Sequence, residues 1–300
     1  MFLTDNFKVK KWNLNSSLRY DFNRLSANDL DLSNGDDSGD IQLNSLNGGV
    51  GLSYNQSIWF NPFARFSTSF ETPTLSELSA NPNGTEGFNQ DLKPQQAINY
   101  EIGAKGLIAN KLQYELALFN IQTTNEILSF ELEQFPDRDF FRNAGTTIRN
   151  GFETALKYTP KKSWQFAGTY AYSDFTIKDS PIGGTIFDGQ KLPGIPIHSG
   201  SVSVRYISPK GAFFKLTGNQ VGRLFANDTN TVEVEAYTLV NLNLGYEIES
   251  KNIKWTPFFG VNNLFDAKYN DNIRINAFGG RFFEPAAGIN VFGGVRLRLK

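Results

Sequence analysis

Apolar and polar residues alternate along most of this chain. In "SWQFAGTYAYSDF" (163–175) one parity carries Trp164, Phe166, Gly168, Tyr170 and Tyr172. The other carries Gln165, Ala167, Thr169, Ala171 and Ser173. A period of two marks a β-strand with one apolar face and one small, polar face. About a dozen segments read this way, each near the roughly 9–11 residues of a tilted membrane-spanning strand. The others are "WNLNSSLRYDF", "GGVGLSY", "WFNPFARFSTSF", "AINYEIGAKGL", "KLQYELALFNI", "TIRNGFETALKY", "SGSVSVRYI", "AFFKLTGNQV", "YTLVNLNLGYEI", "IKWTPFFGVNN" and "INVFGGVRLRL". Parity is clean in most: Leu242, Leu244 and Tyr246 oppose Asn241, Asn243 and Gly245. It is poor over 59–70, where no facing follows. No segment has the period of a helix of globular length.

The links between segments sort into two kinds. Those at 55–57, 108–111, 159–162, 208–210 and 249–252 are tight, while 23–43, 71–96, 125–145, 174–197, 222–235 and 263–288 are long. Short and long alternate without a break. A soluble sandwich has no reason to gather every tight turn at one end. An outer-membrane barrel does, having short periplasmic turns and long outside loops. Trp12, Trp59, Trp164 and Trp255 lie where a strand leaves the short-turn end, and Tyr54, Tyr158, Tyr206 and Tyr246 where one arrives. Amphipathic rings at one level form an interfacial girdle, and lysines sit just beyond in "KVKKW", "TPKKSW", "SPKG" and "SKNIKW". The aromatic face is therefore expected to meet lipid. The alternative is a soluble β-sandwich or propeller with its aromatics in a core.

Composition narrows this further. The 29 Lys and Arg balance 30 Asp and Glu for a net charge of −1, which gives no basic stripe for nucleic acid. Without cysteine there is no disulfide framework and no thiolate metal site. A mean hydropathy of −0.35 and the lack of a long apolar run exclude a transmembrane helix but not a barrel, whose strands hide apolar residues at every second position. The opening "MFLTDNFKVKKW" lacks the layout of a secretory signal, and Met1 is the one methionine, so a fragment of a longer protein is expected. On the polar parity Arg19, Glu101, Lys105, Arg149, Glu153, Arg296 and Arg298 suit a wet or plug-facing wall, or a lining whose charges neutralise one another. That face reads as poor in large apolar residues.

Several stretches resemble segments of one family in the expected order. "GVNNLFDAKYNDN" (260–272) followed by "GGRFFEPAAGINVFGGVRLRL" resembles the C-terminal end of TonB-dependent outer-membrane receptors. "FETPTLSEL", "LKPQQAINYEIGAKG", "NAGTTIRNGFETALKY", "LPGIPIHSGSVSVRY" and "VEAYTLVNLNLGYEI" are similar to successive earlier segments. In "NNLFD", Leu264 and Phe265 can anchor the strand end while Asn and Asp satisfy backbone groups. In "ETPTLSEL", Pro73 removes a ladder donor and ends the strand. The resemblance implies an all-β, antiparallel, up-and-down transmembrane barrel, with about twelve strands here of roughly 22. Residues 1–300 would be its C-terminal portion, without the N-terminal plug, the TonB box and the signal peptide. It implies TonB-energised uptake of a ferric siderophore or similar scarce nutrient. Outer-membrane lipid, the TonB complex (through the plug) and the barrel-assembly machinery would be partners. The family usually ends in an aromatic residue; this chain ends Leu299-Lys300.

No enzyme chemistry stands out. The single histidine, His198, would have to serve any Ser-His-Asp triad, and there is no G-x-S-x-G elbow, phosphate loop or zinc spacing. No cofactor is implied. The acidic run "DLDLSNGDDSGD" (29–40) fails the EF-hand pattern and reads as a solvated loop. Substrate contact is expected on the long-loop side, at Arg138, Phe140, Phe141 and Arg142 and at Arg274, Arg281, Phe282 and Phe283. Arginine with aromatics suits an anionic, aromatic ligand through charge-assisted bonds and stacking; ordinary loop packing is the other reading. A complete, smaller barrel acting as a passive channel is the alternative function.

Overall fold

The computed structural model describes residues 1–33, 36–82, 87–143, 145–178, 181–182 and 185–299, without the side chains of 136, 137, 181, 182, 185 and 186. In chain order the strands are β1 (Phe2–Val9), β2 (Trp12–Ala27), β3 (Gly39–Tyr54), β4 (Asn61–Glu71), β5 (Gln95–Ile108), β6 (Leu112–Thr124), β7 (Ile127–Leu132), β8 (Phe135–Asn143), β9 (Thr146–Lys161), β10 (Trp164–Lys178), β11 (Pro181–Ile182), β12 (Thr185–Ile186), β13 (His198–Ile207), β14 (Ala212–Val221), β15 (Leu224–Phe225), β16 (Glu233–Val234), β17 (Tyr237–Tyr246), β18 (Ile248–Glu249), β19 (Ile253–Asn262), β20 (Asn270–Ile273), β21 (Phe283–Pro285) and β22 (Asn290–Leu299). One antiparallel sheet runs β1-β2-β3-β4-β5-β6-β9-β10-β13-β14-β17-β19, with β18 and β22 also paired to β19. The pairs β7-β8, β11-β12, β15-β16 and β20-β21 lie within the long links. β1 and β22 each keep one unpaired edge among the described residues, so the curved wall is open.

Register proves the facing. Paired residues share a face, and Leu14, Leu52, Ala64, Ile102, Leu118, Phe152 and Tyr172 form one continuous row across seven strands. These side chains are outward and largely exposed; Leu118 and Ile102 keep 53% and 59% of their surface open. The row extends the facing into β4, where parity alone was silent. Each strand is bounded as its sequence requires: β4 stops at Glu71, ahead of buried Pro73 and the short helix α1 (Leu75–Ser79), whose Thr74 cap and Glu77 form a reciprocal box.

Three features differ from the sequence expectation. Counting β17 and β18 as one pass, the sheet has thirteen passes rather than about twelve. The additional pass is β1, where Asp5 interrupts the apolar parity of Leu3, Phe7 and Val9. Second, β2, β3 and β9 run for 16 residues and β10 for 15, beyond the expected span. Their excess lies at the long-loop end, where outward positions become polar and the hydrophobic contrast vanishes. There the ladder continues with side-chain bonds such as Tyr20 Oη to Asn44 Oδ1 (3.3 Å) and Asn120 Nδ2 to Asn150 Oδ1 (2.7 Å).

Third, the inward face is not poor in large apolar residues. Phe63, Phe119, Phe213, Phe258 and Phe292 stand opposite Gly103, Gly151, Gly245, Gly294 and Gly260 on neighbouring strands. Each ring lies where the glycine's Cβ would be. A ring laid over a cross-strand glycine shields backbone and lets the sheet bend.

Candidate functional site

The buried apolar clusters gather at the long-loop end. Leu78, Phe88 and Leu92 form one, Ile177, Phe187 and Leu192 a second, and Leu224, Ala226 and Val234 a third. The β7-β8 hairpin lies between the first two: Phe141 packs on the first and Leu128 on the second. Phe140, only 1% exposed, faces Phe130 and Phe135. Phe282 packs on the third cluster and touches the more exposed Phe283.

The two arginine clusters named from sequence come together on this platform. Arg274 Nη2 lies 3.0 Å from Glu131 Oε1 and Arg281 Nη2 3.3 Å from Glu131 Oε2, with the Glu131 side chain 1% exposed. Arg142 Nη2 lies 2.9 Å from Asp228 Oδ2, and its guanidinium covers the Phe130 ring at 4.7 Å. Arg138 is exposed and lies over Phe140 at 5.1 Å. Three of the four arginines are thus bonded to buried carboxylates of their own chain.

Asn276 was not singled out from sequence, yet it joins three loops. Its Nδ2 donates to Ser129 O and Asp228 Oδ2, both at 3.1 Å, and its Oδ1 accepts from Asp228 N at 3.0 Å. Its φ of 55° is one that asparagine tolerates, and "INAF" carries no periodic signal that would mark it. Burial pushes the Asp228 carboxyl above the usual carboxylate range, with Arg142 and the bond from Asn276 pulling the other way.

The "NNLFD" turn works through Asn263. This buried residue, at φ 50°, receives Ala267 N on Oδ1 (2.8 Å) and donates from Nδ2 to Ala267 O (2.9 Å). Asp266 Oδ1 accepts Ile289 N at 2.9 Å; the bonds from Lys268 and that amide hold its carboxyl below the usual range. Phe265 is 74% exposed.

At the opposite end, Trp12 stacks on Tyr54 at 4.6 Å and Trp164 on Tyr206 at 4.7 Å, tilted in both cases. Tyr158 lies 6.3 Å from Phe166. Tyr246 and Trp255 follow on the same outward face, opposite Ala212 and Leu297. Trp59 lies exposed in the turn before β4, its carbonyl accepting Tyr114 Oη at 2.9 Å. His198 is outward too, 2.9 Å from Tyr170 Oη through Nδ1.

A cleft of about 380 Å³ at the loop bases is lined by Asn89, Asp91, Lys93, Asn125, Phe141, Arg142 and Asn143. A larger one of about 710 Å³ lies on the inner wall over Arg65, Glu101, Glu115 and Glu153. Part of that wall is mutually neutralised, by Arg19–Asp21, Arg65–Glu101 and Arg149–Glu126. Among the described residues no group of three or more His, Asp or Glu side chains could hold a metal ion, and no helix is long and apolar enough to cross a membrane. The run 29–40 includes Asn34 and Gly35, which lie outside the described residues.

A family profile described as "TonB dependent receptor-like, beta-barrel" matches residues 1–264. The chain belongs to this family. The ferrioxamine B receptor of Salmonella typhimurium is 25% identical over 274 residues, covering 89% of this chain and 36% of the relative. The probable TonB-dependent siderophore receptor PiuA of Acinetobacter baumannii is 23% identical over 292 residues, covering 90% and 37%. The chain therefore spans little more than a third of these relatives. Among solved structures, that of PiuA from Acinetobacter baumannii superposes with a TM-score of 0.78 at 21% identity, covering 99% of this chain and 42% of that one. The ferric citrate transporter FecA without ligand gives 0.76 at 19%, covering 99% and 44%. At such identities the superpositions speak for the fold: a TonB-dependent barrel wall, here as an open part of the circumference.

Proposed function

We propose that this chain is the C-terminal portion of the barrel of a longer outer-membrane receptor, which takes up a ferric siderophore or similar scarce nutrient with energy passed through TonB. Family membership over residues 1–264 carries the reading. It is supported by relatives whose names are those of siderophore receptors. The outward apolar row supplies the lipid contact, the aromatic girdle the membrane boundary, and the barrel-assembly machinery the route to the outer membrane. An N-terminal domain in the same polypeptide fills the barrel and carries the box that TonB grips. Ligand contact falls to the long-loop end. Arg138, Arg281 and Phe283 are the exposed members of the two predicted clusters, while Phe140, Arg142 and Arg274 set the shape of the platform.

The test is growth of a strain lacking the full-length gene, starved of iron and supplied with defined ferric chelates, haem, cobalamin or glycans. A single nutrient class should fail to support the mutant, and loss of TonB should abolish the same uptake. Growth unaffected on every supplement overturns the reading. Uptake that needs the gene but not TonB points instead to a passive channel.

A further inference from the structure

An acidic side chain lies within the outward apolar belt. Asp5 stands opposite Ser16, whose row continues outward through Val50, Phe66 and Tyr100. Its neighbours on that face are Leu3 and Phe7 along β1 and Leu14 and Leu18 across on β2, all exposed. Four residues separate it from Val9, which faces Trp12 at the aromatic level. At about 3.4 Å per residue and a tilt of about 40°, that is roughly 10 Å into an apolar band about 25 Å tall. An aspartate is too short to bring its charge back to water as a long lysine or arginine does. Lys8 points to the lumen opposite Asn13, and Lys10 and Lys11 lie in the turn below. The Asp5 carboxylate has no hydrogen bond and no ion pair among the described residues.

A lone charge on a lipid face is costly, and ionisable groups at such depth take a partner. We infer that Asp5 forms an ion pair with a Lys or Arg on the strand that precedes β1 in the same polypeptide, and that this pair sets the register of the joint. The inference rests on the reading of the chain as part of a longer barrel, which supplies that strand. Two observations favour this occupant over a separate membrane protein. The free edge of β1 is the side of Asp5 that β2 does not fill, and a strand bonded there brings its facing side chain within about 5.5 Å. The relatives also extend far beyond the matched stretch, which spans 36% of the ferrioxamine B receptor. Apolar alternation alone does not fix this joint. A slip of two residues keeps every side chain on its face, and Leu3, Phe7 and Val9 are interchangeable against lipid. A charge facing a charge is not, and a desolvated polar pair is best attested as such a registry device.

The experiment uses the purified full-length receptor folded in neutral phosphatidylcholine vesicles, with guanidinium unfolding followed by heat-modifiable gel migration. Asp5→Leu should lower the ratio of folded to unfolded receptor about tenfold, whereas removing an unpaired charge from a lipid face raises it. Asp5→Lys should lose more, and replacing the facing Lys or Arg with Asp in the same receptor should recover most of that loss. Hydrogen exchange at the β1 amides that β2 leaves unbonded reports separately whether a strand is paired there. An Asp5→Leu receptor as stable as wild type, or more so, overturns the ion pair, as does a charge swap that recovers nothing. A loss seen in whole cells but not in the purified receptor places the cation on another protein and overturns it too. Free exchange along that edge in wild type overturns the longer-barrel reading beneath it.

Discussion

Asp228 and Arg142 show how a buried loop carboxylate is held. Burial raises the Asp228 carboxyl above its usual range while Arg142 opposes the rise. A carboxyl that binds its proton more tightly when folded favours the fold most below its unfolded pKa of about 3.9. That contribution is lost as pH rises through the higher folded value, so the neutral form suits the platform better than the ion. Replacing Arg142 with Ala strands the ion and should loosen the platform by about 2 kcal/mol at pH 8. At pH 4.5 the loss should be smaller. Asp228→Asn keeps much of the bonding at Asn276 and should flatten the pH dependence at little cost. Hydrogen-exchange protection at Ala226 and Asn276, corrected for intrinsic rate at each pH, measures both. Equal loss from Arg142→Ala at both pH values would contradict this account. Sequence showed the arginines but not their partners, because Glu131 lies in the short loop hairpin strand β7 and Asp228 in an irregular loop, each far along the chain from the arginines it meets.

At the scale of strands, the inward Phe–Gly pairs are what shape the wall. Gly151 has the Phe119 ring where a Cβ would go, and that ring meets Phe175 edge-on at 6.2 Å. Gly151→Ala should destabilise the barrel, and Phe119→Ala in the same chain should relieve most of the clash. The two changes should couple by more than about 1 kcal/mol in a double-mutant cycle read from urea unfolding in detergent. Additive losses would mean that ring and glycine are independent. Strand existence was legible from alternation almost everywhere, since a half-buried strand writes its period into the chain. Strand ends were not, because above the apolar belt both faces are polar. β1 was missed because Asp5 breaks its apolar parity.

For the molecule as a whole, we propose that one outward apolar belt and one aromatic level at the short-turn end set how it sits in a bilayer. Three of the four tryptophans lie on the outward face at that level, paired with Tyr54, Tyr206 and Leu297, and Trp59 lies in a turn beside it. In vesicles whose acyl chains carry bromine at a chosen depth, their fluorescence should be quenched most by bromines near the headgroups. Quenching that peaks at the bilayer centre, or none at all, would remove the lipid-facing assignment.

From sequence alone came the class of structure. Period-two alternation fixes which side chains share a face, and the order of short and long links fixes which end each turn occupies; both are local properties of the chain. Family motifs such as "NNLFD" are likewise local, since Asn263 bonds Ala267 four residues on. Tertiary structure alone decided the rest. Glu131 meets Arg274 and Arg281 across about 150 residues, and Arg205 faces Lys215 only once register is set. Such pairings depend on how distant strands and loops fold together, and no periodicity within a single segment encodes them.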